Sequence, residues 1–418
     1  MCSTSAKEYL SHIQTPLGMR SMYNSVCHCN RCGMCAQVCP SYLQTQQELF
    51  SPRGRNQTLR LLLEGKLKAK KIAPQLQTMI ETCSLCNRCT QACPGQIPTP
   101  QHVLELRRRL HKQLLPATLF YMLRFYQKAP KVFDALVHLF LLLRKTGIMS
   151  LVAWIPSFAW VGYADKILPR KRVHKIRPQQ PQKKTTLIYL PSFEAQFLMP
   201  QLFNQSYQLA CRKNKTLVWK YKSSGLFEYT YGDLRRARKL VKKLIRLHAH
   251  TANGKLPLLT DSMEVYLFLK QSTQLFEIYP AWKKKAQHFA SCVRFITDIF
   301  PKKIAPVPQV QLPVSLCTIS TSEVQENPQA QAQQILRSLF KKNFVQCDYK
   351  DGIVPLLGYG FIKNTHAPDY LLQAVRAVAT HQIKTVFVTS AIATLELGFY
   401  MHMFYPCAKV CHIAELNG

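Results

Sequence analysis

CHCNRCGMCAQVCP, residues 27–40, puts five cysteines into fourteen positions, and CSLCNRCTQACP, residues 83–94, repeats the spacing. Cys29, Cys32 and Cys35 are followed by Cys39 and Pro40, and Cys83, Cys86 and Cys89 by Cys93 and Pro94. Both runs read C-x2-C-x2-C-x3-C-P, the spacing of two-cluster 4Fe–4S proteins, in which the fourth cysteine reaches the other cubane. One cluster is therefore expected on Cys29, Cys32, Cys35 and Cys93, the other on Cys83, Cys86, Cys89 and Cys39. Each proline lacks an N–H and fixes φ, so the chain turns away without an unpaired donor near the sulfides. Zinc is the alternative, but its tetrahedral sites take two knuckles across a longer loop, and three cysteines in consecutive C-x2-C steps overcrowd one ion. Cys27 fits neither register and reads as a bystander. Asn30–Arg31 and Asn87–Arg88 read as equivalent pairs, either donating to cluster sulfur or lying in solvated loops.

The chain has 418 residues, 47% of them apolar, which is enough for several domains and a sizeable core. Of sixteen cysteines, eight hold the C-x2-C-x2-C-x3-C positions of the two runs, and Cys27 sits just before the first. The remainder are dispersed, unlike a secreted disulfide framework. The start, MCSTSAKEYLSHIQ, lacks a basic region followed by an apolar one, so no signal peptide is read. The expected location is the reducing cytoplasm, with peripheral contact on the inner face of a membrane. Net charge is +35, from 56 Lys and Arg against 21 Asp and Glu. Its basic runs, RRR at 107–109, 170–184, 235–243 and 283–285, come with no nucleic-acid-binding signature. They read as solvated surface, and nucleic acid is not an expected partner.

Along the chain, 43 residues separate Cys39 from Cys83. In this insert Leu59, Leu62 and Leu63, then Leu76, Met79 and Ile80, recur at helical spacing, so helices are expected between the clusters. Residues 146–164 run nineteen positions without a charge, but Pro156 and two glycines argue against a spanning helix. Packed helices are expected there, with Trp154, Trp160 and Tyr163 at a membrane interface. A basic linker follows. Then TTLIYLPS (185–192), KTLVWKYK (215–222) and KLPLLTDS (255–262) read as strands, with GDLRRARKLVKKLIRL (232–247) a helix whose Leu234, Ala237, Val241 and Leu244 share one face. VQLPVSLCT (310–318), NFVQCDY (343–349) and IKTVFVTSA (383–391) read as strands around helices at 327–340 and 367–382. This alternation implies two α/β halves with parallel sheets, a duplication divided by KKIAPVPQ at 302–309.

With CNRCGMCAQVCP, ELFSPRGRNQTLRLLLEG and ETCSLCNRCTQACP together, the chain resembles the iron–sulfur subunit of glycolate oxidase. The wider family takes in lactate-utilising and anaerobic glycerol-3-phosphate dehydrogenase iron–sulfur subunits. The resemblance takes in nearly the whole chain, strongly at the N-terminus and by layout afterwards. It implies an α+β multidomain protein: an α-helical ferredoxin domain with two cubanes (1–115), a helical connector and basic linker (116–184), and two α/β domains (185–301 and 302–418). The C-terminal pair departs from the family's Cys-Cys-Gly pattern. Ser223, Ser224 and Gly225 stand at the first place, Leu356, Leu357 and Gly358 at the second, and Thr394 where a further cysteine falls. Serine and leucine do not replace thiolates, so no metal is expected there. Cys317, Cys407 and Cys411 read as buried or incidental thiols.

The implied role is electron transfer without a catalytic residue of its own. A flavoprotein partner would oxidise glycolate or lactate, and two 4Fe–4S clusters would pass electrons to quinone or another membrane acceptor. No G-x-G-x-x-G fingerprint lies between a strand and a helix, so neither flavin nor dinucleotide is expected on this chain. The alternatives are a subunit of a glycerol-3-phosphate dehydrogenase or heterodisulfide-reductase-like complex, and a basic nucleic-acid-binding protein with structural clusters.

Overall fold

The computed structural model describes residues 12–15, 18–68, 73–114, 117–143, 146, 176, 178, 185–301, 310–317, 328–346 and 368–417. An antiparallel hairpin, β1 (His12–Thr15) and β2 (Gly18–Ser21), leads into a helical region. Its helices are Met22–Cys27, Pro40–Thr45, Pro52–Leu63, Pro74–Glu81, Arg88–Gln91 and Thr99–Leu114. The periodic leucines fall where expected. Leu59 and Leu62 of one helix and Met79 and Ile80 of another bury against Met22, Val26, Leu106 and Leu110. Pro52–Leu63 starts on the Ser51 hydroxyl, which accepts from the Gly54 amide at 2.9 Å, with Pro52 in the first turn. It ends in a left-handed Gly65, where the Lys66 amide reaches back to the Leu61 carbonyl.

The 107–109 run corrects the expectation of a solvated face. Arg107 is buried, and Arg108 and Arg109 both pair at 2.6 Å with buried Glu105.

Helices Ala117–Lys128 and Pro130–Leu143 follow. Phe133 packs with Tyr126 and Phe197, and Val137 rests against them, while Val132, Leu136, Leu139 and Leu142 stay exposed. The uncharged run 146–164, Thr146 excepted, and the 302–309 divider lie outside the described residues. Among those described, no helix is long and apolar enough to cross a membrane.

The α/β texture of the second half is borne out as helices with small parallel sheets. The first sheet has the order β4 (Thr216–Val218), β3 (Leu187–Leu190), β5 (Leu258–Thr260), β6 (Val293–Phe295), all parallel. The second is β7 (Val314–Cys317), β8 (Thr385–Val388), β9 (Lys409–His412), also parallel. Leu234–His250 buries Leu234, Ala237, Val241 and Leu244 as read. Of the run 343–349, Phe344 makes a single parallel bridge to Val314 and residues beyond 346 are not described. The short β6 follows helix Pro280–Cys292 with no turn residue between them, which is why its sequence carries no strand signal.

One hydrophobic core runs through both sheets. Leu187–Leu190, Leu258 and Phe295 belong to the same cluster as Val314, Leu316, Phe387, Leu395 and Ile413. A buried carboxylate also ties the halves together. Glu264 accepts from Ser262, beyond β5, at 2.5 Å, and from Ser390, beyond β8.

Candidate metal centre

The two cysteine loops share a backbone form. In the first, Arg31 has φ +56° and Gly33 φ +87°. In the second, Leu85 has φ +58° and Asn87 φ +62°. Arg31 and Leu85 each precede the second cysteine of their run, and Gly33 and Asn87 each follow it. These left-handed positions turn the chain on both sides of the second cysteine of each run. The structure corrects the pairing of the Asn–Arg dipeptides: Asn30–Arg31 fills the first step of one loop, Asn87–Arg88 the second step of the other. Cys39 caps the Pro40–Thr45 helix, with Pro40 in its first turn.

The thiols act on one another across the two runs. Burial, then the negative fields of Cys29, Cys93, Cys39 and Cys32, push the Cys35 thiol up to about 11. Cys93 of the second run is thus among the thiols whose fields act on Cys35, as is Cys39 of its own run. Burial and then Cys86, Cys83, Cys39 and Cys35 drive Cys89 well above its ordinary value. Cys86 is raised by burial first, then, among its neighbours, by Cys83 and Cys39. Cys39 of the first run thus acts on Cys86 and Cys89 as well as on Cys35. Cys27 ends the Met22–Cys27 helix and packs against the core of Met22, Val26 and Leu59.

Among the described residues, no group of three or more His, Cys, Asp or Glu converges as a single-ion site. The donor chemistry fits iron–sulfur binding: the thiols are soft donors, and on Cys35, Cys86 and Cys89 burial and neighbouring thiols oppose ionisation, which bound iron would offset with the opposite charge.

The helix between the clusters supplies residues that the sequence reading did not single out. Arg55 is 1% exposed. Its Nη1 donates to the Cys39 Sγ at 3.6 Å and to the Phe50 carbonyl. Its Nη2 donates to Ser41 at 2.8 Å and Thr82 at 3.3 Å, and its Nε to the Met79 carbonyl at 3.1 Å. Burial opposes its charge, but the thiols of Cys83, Cys39 and Cys89 outweigh that and hold it protonated. Two turns of sequence, SPRGRN, explain the neighbourhood. Gly54 lets the helix pass close to a preceding loop, since a Cβ there would lie 2.4 Å from the Glu48 carbonyl. Arg53 pairs with Glu48 at 2.5 Å and donates to the Arg31 carbonyl at 3.1 Å, pinning the first cysteine loop.

Asn56 anchors a buried polar chain. It donates to Thr99 at 3.1 Å and accepts from His102 Nδ1 at 2.8 Å, and Ser25 meets His102 Nε2 at 2.9 Å. Burial lowers His102 to about 3, so it is neutral, and the chain joins three helices. Arg107 gathers the carbonyls of Ile80, Glu81 and Cys83, the last at 2.5 Å, and that of Thr230 at 2.8 Å. It ties the second cysteine loop to the α/β part.

At the other positions singled out, Ser223 and Ser224 use their hydroxyls locally, accepting from the Gly225 and Leu226 amides at 3.3 Å. Thr394 is buried and donates to the Ser390 carbonyl at 2.9 Å. Cys317 and Cys411 are buried and Cys407 is exposed. Leu356, Leu357 and Gly358 lie outside the described residues.

Residues 25–97 match the family described as 4Fe-4S dicluster domain. This region is a 4Fe–4S dicluster domain. The chain is 28% identical over 110 residues to the probable glycolate oxidase iron-sulfur subunit of Bacillus subtilis, covering 26% of this chain and 24% of that one. It is 31% identical over 121 residues to the glycolate oxidase iron-sulfur subunit of Escherichia coli, 28% of each chain. Over 91 residues it is 35% identical to lactate utilization protein B of Macrococcus caseolyticus, 21% of this chain and 18% of that. The chain thus spans about a quarter of the length of the glycolate oxidase subunits it matches. No solved structure matches it.

Proposed function

We propose that this chain is an iron–sulfur electron-transfer subunit carrying two 4Fe–4S clusters. One is held by Cys29, Cys32, Cys35 and Cys93, the other by Cys83, Cys86, Cys89 and Cys39. The observation that carries this reading is the doubled C-x2-C-x2-C-x3-C-P spacing within a region that matches a 4Fe-4S dicluster domain. The bound clusters supply one-electron storage. The chain's own residues hold the thiols in place, keep water from Cys39 and Cys89, and set the charge around them. The divisions at 115 and 184 belong to the same proposal, and 301 marks where the first α/β half passes to the second within one shared core.

A flavoprotein partner oxidises a 2-hydroxy acid of the glycolate or lactate type, and a quinone or other membrane carrier accepts the electrons. The names of the relatives support that partner chemistry. The test is anaerobic purification in mild detergent followed by addition of glycolate or lactate. Co-purification of a flavoprotein, with bleaching of the cluster absorbance on adding one of these acids, is expected. Recovery without any flavoprotein, and clusters that no 2-hydroxy acid reduces in cell extract, would argue against the reading.

A further inference from the structure

The two cysteine sets are not electrostatically equivalent. The cation beside the first loop, Arg53, is one-third exposed and already paired with Glu48 at 2.5 Å. The cation beside the second set is Arg55, buried at 1%, whose hydrogen-bond partners are carbonyls, hydroxyls and the Cys39 sulfur. Its N–H reaches Cys39, and the thiols whose fields act on it, Cys83, Cys39 and Cys89, all belong to the second set. A paired, solvated charge is screened, whereas an uncompensated charge in a dry interior acts at low effective dielectric. A cation and an N–H···S contact both favour the more negative, reduced form of a cluster.

Building on the ligand sets proposed above, we infer that Arg55 is a positioning residue that makes the cluster on Cys83, Cys86, Cys89 and Cys39 the higher-potential member of the pair. A single electron entering the pair then rests on that side: the first cluster is oxidised, the second reduced, and no bond or proton changes hands. Arg55 thereby gives the pair a direction, from the Cys29 side toward the Cys83 side. Its other contacts serve this role, because Ser41, Thr82 and the Phe50 and Met79 carbonyls fix the guanidinium plane against Cys39.

The experiment is an EPR-monitored redox titration of the full chain, purified anaerobically, with iron and sulfide counted in every sample. Wild type, R55Q, R55K and R53Q are compared. Wild type should show two unequal reduction steps. In R55Q the higher step should fall so that the electron's preference drops about tenfold, which is about 59 mV for a one-electron couple, and the lower step should stay. R55K should shift the same step in the same direction by less, because an ammonium cannot reproduce the planar fork. R53Q should leave the higher step in place, because Arg53 contacts only the first loop. Fully loaded R55Q that titrates like wild type would overturn the inference while leaving the ligand sets standing. Where R55Q fails to load iron, an unmoved R55K overturns it. Wild type without two cubanes would sink the ligand reading, and this inference with it.

Discussion

At the scale of single residues, the account makes unequal demands on the cysteines. Cys39→Ser and Cys93→Ser each remove a ligand contributed by the opposite run. In each variant iron should fall from about eight to about four per chain, and the EPR signal lost should be that of the cluster on the other run's first three cysteines. Cys27→Ser should keep both. Loss of the same-run cluster in Cys39→Ser would reverse the assignment. His102 makes a separate prediction about acid. Its folded pKa is depressed to about 3 by burial, so between the ordinary imidazole value and about 3 the unfolded chain binds the extra proton. Stability is therefore full above about pH 6.5 and drains as pH falls, by about 4 kcal/mol at most near the lower end. Urea midpoints of wild type and His102→Gln across pH 4–8 should converge toward the acid side. Parallel curves would place the acid sensitivity elsewhere. The eight cysteines proposed as ligands were legible in the sequence because their spacing is itself the signal. Arg55, Asn56 and His102 were not, because a lone Arg or His in a helix says nothing of what it meets until distant segments come together.

At the scale of elements, the helices carrying the loops are held by close backbone approaches. Gly232 has φ +85°, and a Cβ there would fall 2.4 Å from the Arg107 carbonyl carbon, at the turn that presses helix Thr99–Leu114. Gly65 has φ +73° with nothing within 4 Å. Gly65→Ala should therefore cost only the left-handed strain, about 1 kcal/mol. Gly232→Ala adds a backbone clash and should cost about 3 kcal/mol or more, and it should also loosen the second cysteine loop through Arg107. Chemical denaturation with iron counting separates the two, and equal costs would mean the approach at Gly232 is not as tight as described. Leu234–His250 and the strands at 187–190, 258–260, 314–317 and 385–388 were readable from periodicity and β-branched runs. β6 was not, because three residues behind a helix show no alternation. RRR at 107–109 misled, because charge alone does not reveal that Glu105 and backbone carbonyls already bind it.

At the scale of the whole molecule, the second half behaves as one body. Its two sheets share a core, and Glu264 bonds to serines from both. A chain ending at residue 301 would strip Phe387, Leu395 and Ile413 from that core and should not fold stably. In the full chain carrying Trp154→Phe and Trp160→Phe, the fluorescence of Trp219 and Trp282, which reports the first sheet's side, should unfold together with far-UV dichroism. Two separated transitions, or a well-folded 1–301 chain, would show that the halves are independent. The parallel α/β layout was readable from alternation, but the fused core was not, since it depends on faces that no local pattern assigns. The central claim concerns the other end of the molecule, and one measurement meets it directly: iron, acid-labile sulfide and zinc per anaerobically purified full-length chain, with EPR before and after dithionite. The account predicts about eight irons and eight sulfides with signals of two interacting reduced cubanes. Stoichiometric zinc, or about four irons with a single isolated signal, would contradict it.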